Sequence, residues 1–285
     1  MQLLQFLVDG LLIGFVYGIA AMGLTLIWGV MNVINLAHGP IIALGSFGVY
    51  LLFTSVFHMN PYLAMVFVAI GGLVLGVLIY LVAIQRVINA PHLSTLLATF
   101  AVNMILIGLG THYFNTSPRN IELFIGRFEL GNVTVLGTRL VAALASILVT
   151  AGLYLFLYRT TLGKYIRAVS NNRAAAELMG IPSSRILALS FGLGSMLAAI
   201  AGSLIATFLP FNILSGTVYE VKSFVIVVLG GLGNPIGALV GGLILGAMEG
   251  TIPRFMDTTW VPVLEFVLFI IILLVRPNGL FGAKE

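Results

Sequence analysis

GLLIGFVYGIAAMGLTLIWGVMNVINLAHGPIIALGSFGVYLLFTSVFHMNPYLAMVFVAIGGLVLGVLIYLVAIQ, residues 10–85, contains no Asp, Glu, Lys or Arg. One bilayer crossing needs about 20 apolar residues, so a charge-free run of 76 residues must hold several crossings. The rest of the chain agrees. Over 285 residues, 60% are hydrophobic and 8% charged, against roughly 25% charged in soluble domains. No stretch is polar enough to house a separate soluble catalytic or nucleic-acid-binding domain, and no nucleic acid partner is expected. The net charge of +4 is read as a signal of orientation, not of an acidic partner. With no cysteine, disulfides and thiolate metal sites are excluded, and the redox compartment stays open. The start of the chain lacks a basic region and a small-residue cleavage site, so it is expected to be a retained span.

Polar, proline and glycine breaks divide the chain into hydrophobic segments at roughly 4–30, 37–57, 61–84, 92–112, 138–158, 186–209, 222–248 and 259–275. The expected fold is therefore all-α: a polytopic integral membrane protein of about eight segments, some of them broken or re-entrant. It is read as one transmembrane domain over residues 1–285. Two hydrophilic interruptions differ in charge. From 113 to 137, Arg119 and Arg127 balance Glu122 and Glu129. From 159 to 185, Arg159, Lys164, Arg167, Arg173 and Arg185 stand against Glu177 alone. Basic residues mark the cytoplasmic side, so 159–185 is a cytoplasmic loop and 113–137 faces out. Counting back puts Arg86 inside and the N-terminus outside. Arg276 and Lys284 fall inside only if 222–248 enters and returns on one side. That segment reads VKSFVIVVLGG, LGNPIG, ALVGGLILGAMEG, and is expected to be a re-entrant pair of half-helices. Irregular backbone at membrane depth is tolerated only beside protein or a watery cavity, which places Gly230, Gly231, Gly233 and Asn234 near a pathway. NVINLAHGPIIALG is a similar break in the first half.

Glycines at 10, 14 and 18, and at 242, 246 and 250, each fall on one helix face and allow close approach of neighbouring helices. His38 is titratable and flanked by apolar sequence. Its first reading is a hydrogen bond at a helix end; its second lines a path with Asn32, Asn35 and Gly39. No metal is expected, because His58, His92 and His112 are too dispersed to complete a set of three or four ligands. Glu265 lies inside an apolar segment, close enough to Trp260 to reach headgroups or a neighbouring side chain. Asp9, Glu220 and Glu249 flank segments, whereas an ion-coupled carrier places a carboxylate nearer the midplane. Ser195 and His38 have no triad or metalloprotease context, so no catalytic residue is assigned.

The basic loop continues as TTLGKYIRAVSNNRAAAELMGIPSSRILALSFGLGSMLAAIAGSL, residues 160–204. Asn171 or Asn172 can cap a helix through the alanines at 174–176, and Gly180 with Pro182 can end it. So short a helix is marginal in water alone and needs something to dock on. Ala174, Ala175 and Leu178 offer a small apolar face, and Arg173 with Glu177 a charged rim.

This segment resembles the cytoplasmic coupling region of bacterial branched-chain amino acid ABC transporter permeases. GLTLIWGVMNVINLAHGPIIALGSF (23–47) and FVIVVLGGLGNPIGALVGG (224–242) are similar to two further stretches of that family, in the same order. The chain resembles the smaller, LivH-type subunit; Pro40 departs from the pattern, an acidic residue being frequent there. The resemblance implies a second permease of LivM type, two ATP-binding subunits, a periplasmic amino acid-binding protein and the bacterial inner membrane, in contact with lipid. It also implies that residues Arg173 to Gly180 sit in a groove of the ATPase. The chain lacks GxxxxGK[ST], so it is expected to bind no cofactor itself and to draw on ATP through those separate subunits. Permeases for urea or short amides look similar, and an ion-coupled carrier or a passive channel are the other readings.

Overall fold

The computed structural model describes residues 2–55, 58–130 and 133–282. Among them are eleven helices: α1 (Gln2–Met31), α2 (His38–Thr54), α3 (Pro61–Ile79), α4 (His92–Phe114), α5 (Gly137–Arg159), α6 (Thr161–Asn171), α7 (Arg173–Leu178), α8 (Ser183–Ile205), α9 (Ser215–Gly230), α10 (Pro235–Thr251) and α11 (Trp260–Val275). Six are long and apolar enough to cross a membrane, and α2 and α11 are shorter apolar helices. This is a multi-pass membrane protein. The neutral 113–137 loop, expected only to be hydrophilic, carries an antiparallel pair of strands, β1 (Arg127–Leu130) and β2 (Val133–Leu136).

Helix starts follow the local sequence. Asn60 accepts a bond from the Tyr62 amide with Pro61 in the first turn, and Asn234 accepts from the Ile236 and Gly237 amides ahead of Pro235. In each pair the asparagine satisfies a free N–H and the proline lacks one, the favoured chemistry of a helix N-terminus.

α1 and α8 form the centre, while α3, α4 and α5 turn large apolar side chains such as Leu148, Ile105 and Val66 outward. The glycine faces of α1 and α10 pack on each other. A side chain at Gly14 would stand 2.7 Å from Gly242 O, and one at Gly250 2.7 Å from the Gly10 Cα. The helices run antiparallel, from Gly29 beside Gly233 at one end to Phe6 beside Gly250 at the other.

That pairing corrects one expectation. Residues 222–248 do go in and come back, but only α9 is a partial crossing. α10 runs beside α1 for most of its length, and the Gly231–Asn234 turn lies at the end of the bundle where Ser170 Oγ donates to Gly29 O. Leu280 and Phe281 also reach this end, their amides donating to Leu229 O and Gly230 O. Lys284 lies outside the described residues. The basic loop lies at the same end, which is therefore the end expected to be cytoplasmic. We therefore expect Arg173→Cys to react with a membrane-impermeant thiol reagent only from the cytoplasmic side, and Asn120→Cys, exposed in the neutral loop, only from outside. Labelling of both from one face would overturn this orientation.

Candidate functional site

At the end that carries the basic loop, α6 and α7 lie against the bundle. α6 buries Gly163, Ile166 and Val169; Thr160 accepts from the Gly163 amide, and the Arg167 guanidinium donates to Leu157 O and lies 4.5 Å over the Tyr158 ring. Asn172, of the two asparagines considered, is the cap of α7, accepting from the Ala175 amide at 3.0 Å. Gly180, at φ +79°, reverses the chain, and the Ile181 amide returns to Ala176 O. A left-handed residue with this back-bond is a common helix ending that favours glycine. Ala176 is the buried contact. Ala174, Ala175, Glu177 and Leu178 are exposed. Met179, which the sequence did not single out, is 82% exposed beside Leu178 at 89%. Arg173 pairs with Glu177 at 3.0 Å and also donates to Asn89 Oδ1, tying α7 to the loop after α3.

The residues expected along a pathway fall into two groups. In the first, Asn32 is exposed at φ +51° just beyond α1. Asn35 is buried and accepts from the Ala37 amide, with its Nδ2 unpartnered. His38, fully buried, is the first residue of α2, and its Nε2 lies 2.8 Å from Ala20 O. Gly39 packs backbone to backbone on Gly216, where the Glu220 carboxylate also lies. In the second, Gly230 packs on Gly237, Gly231 on Gly282 and Gly233 on Gly29, and Asn234 Nδ2 donates to Phe281 O. This second group binds the α9–α10 turn to the C-terminal segment at the end that carries the basic loop. It is at a different level from His38.

Sequence reasoning missed a cluster of ionisable side chains. Lys222 Nζ on α9 is 2.5 Å from Glu249 Oε2 on α10, 4.0 Å from Glu265 Oε1 on α11 and 3.4 Å from the Tyr17 hydroxyl on α1. Glu265, expected to meet headgroups or a neighbour, takes the neighbour. These charges are far apart in the chain, and no local pattern joins them. Glu220 was placed at a segment edge; it lies one turn and a half inside α9, beside the start of α2. Intramembrane charges survive by pairing, and here one lysine holds two carboxylates from two other helices.

The family described as branched-chain amino acid transport system, permease component, matches residues 6–275. The high-affinity branched-chain amino acid transport system permease protein LivH of Salmonella typhimurium is 29% identical over 99% of this chain and 96% of its own length. BraD of Pseudomonas aeruginosa, named for the same transport system, is 29% identical over the same shares. A probable branched-chain amino acid transport permease of Methanocaldococcus jannaschii is 30% identical over 92% of this chain and 87% of its own. No solved structure matches the chain.

Proposed function

The chain belongs to the family of branched-chain amino acid transport system permease components, and on that premise we propose that it is one of two membrane subunits of an ABC importer for branched-chain amino acids in a bacterial inner membrane. The second subunit is a LivM-type permease. Two ATP-binding subunits dock at α7, and a periplasmic binding protein delivers the amino acid from the other side. The observation that carries the coupling role is the exposure of α7. Ala174, Ala175, Leu178 and Met179 stand outward, while Ala176, the Asn172 cap and the Arg173–Asn89 bond fix the helix to the bundle. An apolar face held out in this way, on a helix too short to persist alone, suits a groove on a soluble partner.

The ion-coupled reading gains one observation, the half-buried carboxylate of Glu220 beside the start of α2. Its position against Gly39 gives it another role, offsetting the positive end of α2, whose N-cap Ala37 supplies no side-chain bond. Vesicles bearing the complete transporter separate the readings. With ATP supplied and ion gradients collapsed, uptake of leucine, isoleucine and valine should persist, and without ATP it should stop. Uptake that follows the ion gradient, or uptake of urea in place of leucine, would overturn the proposal.

A further inference from the structure

α9 begins inside the membrane. Its second residue, Gly216, packs on Gly39, next to His38, which is bonded to Ala20. Ala20 lies eleven residues along α1 from Asp9, which pairs with Arg139 at the outer end, and nine from Gly29 at the cytoplasmic end; at 1.5 Å per residue these are about 16 and 14 Å. The start of α9 is thus near mid-depth. The chain leading to it is not helical. Phe211 packs edge-on to Phe47 higher up α2, and from there Asn212 and Ser215 close a polar turn, the Ser215 amide and hydroxyl both donating to Asn212 Oδ1 and the Asn212 amide to Ser215 Oγ.

From this turn a stripe at helical spacing faces away from the protein: Leu214 (47% exposed), Thr217, Val218 (55%) and Val221 (40%). Beyond it, from Val225 to Gly230, α9 is buried throughout. Charges flank the stripe, with Glu220 on the α2 side and the Lys222–Glu249 pair on the other. Hydrocarbon does not accept a polar turn and an open helix start beside partly exposed charges; protein or water must lie there.

We propose that Leu214, Thr217, Val218 and Val221 form one wall of the translocation pathway, in contact with water and with the aliphatic side chain of the passing amino acid. The assignment of an aliphatic ligand rests on the function proposed above; the contact with water does not. The wall is apolar at three of four positions, which suits a branched hydrocarbon side chain and gives a polar headgroup no strong hold along the stripe. It also moves the pathway from the Gly230–Asn234 turn to the opposite end of α9.

The chain has no cysteine, so single cysteines report cleanly. Thr217→Cys, Val218→Cys and Val221→Cys would be made in the full chain, assembled with its partner subunits in membranes. A negatively charged methanethiosulfonate is then applied from outside and modification of this subunit followed. Leu148→Cys on α5 and Ile105→Cys on α4, at least as exposed but on the apolar outer face, serve as lipid-facing references. The three α9 cysteines should react at least about tenfold faster than the references, because a thiol in hydrocarbon stays protonated and out of the reagent's reach. Leucine with its binding protein should slow them. Rates equal to the references would overturn the proposal, as would reaction only after the partner permease is removed, which would make the face a subunit contact. As a second measurement, Val218→Trp should abolish leucine uptake at normal complex yield while Leu148→Trp leaves it within about twofold. Rapid labelling with no leucine uptake even in the native transporter would leave the aqueous wall standing and refute only the substrate assignment.

Discussion

Ala175→Arg is expected to abolish substrate-stimulated ATP hydrolysis by the assembled transporter and to release the ATP-binding subunits on purification, while leaving this chain folded in the membrane. Ala175 is exposed, and within α7 it bonds through its backbone, its amide donating to Asn172 and its carbonyl accepting from the Met179 amide, which an arginine does equally well. The fold therefore has no reason to fail. A partner groove shaped for Ala174, Ala175 and Leu178 meets a long charged side chain, and burying an unpaired charge there costs several kcal/mol, enough to break an interface of ordinary strength. Arg173→Ala is the contrasting case. Its pair with Glu177 is 37% and 50% exposed on the two sides, so its loss costs ~1 kcal/mol or less, and the bond to Asn89 is likewise at the surface. Co-purification and ATP hydrolysis measured for both variants should differ sharply. Wild-type values for Ala175→Arg would mean that α7 is an ordinary connection and that the ATP-binding subunits dock elsewhere.

What could be read before the structure follows from how local each cause is. The crossings are legible because a bilayer imposes length and apolarity on contiguous residues: α4 and α5 begin and end within two residues of the expected segments, and α3 begins at the expected Pro61 and is carried to the expected end by a π-helical turn, Tyr80–Ile84. The cap of α7 is legible, as Asn171 or Asn172, because capping joins residues two or three apart; Asn60 and Asn234 follow the same rule, although the sequence reading did not name them as caps. The glycine faces at 10, 14, 18 and at 242, 246, 250 are legible as faces, but that they meet each other depends on an antiparallel pairing between distant segments. Depth is hidden for the same reason. The expected segment began at residue 222, next to the charges of Glu220 and Lys222, whereas α9 starts at Ser215, where the Asn212 turn and contact with Gly39 set its beginning. Lys222 then looked like an edge residue. Only the fold brings Glu249 and Glu265 to it, and a lysine so neutralised no longer marks a boundary.

Gly246→Leu is expected to cost most or all of the folded protein, and Gly152→Leu almost nothing. A side chain at Gly246 would stand 2.6 Å from the Gly14 amide nitrogen and nearer still to Gly10 O, so what it meets is backbone, with no flexible end to swing aside. The whole of α1 must retreat from α10. That movement is resisted along the helix, because Gly10, Gly14 and Gly18 all touch α10, while the other face of Gly23 is held against Gly194 of α8. Overpacking a well-filled core costs typically 1–3 kcal/mol, and a clash of backbone against backbone belongs at or above the top of that range. In lipid no hydrophobic drive replaces the lost contact, since association rests on close packing itself. At Gly152, on the outward face of α5, nothing lies within 4 Å of an added side chain. Leucine there meets only lipid and favours the helix over glycine by up to about 1 kcal/mol. The measurement is the melting temperature and the monodisperse fraction of each variant after extraction in detergent, against the unaltered chain. Equal losses at the two positions would mean that glycine serves flexibility throughout, and equal tolerance would mean that α1 and α10 are not packed backbone to backbone.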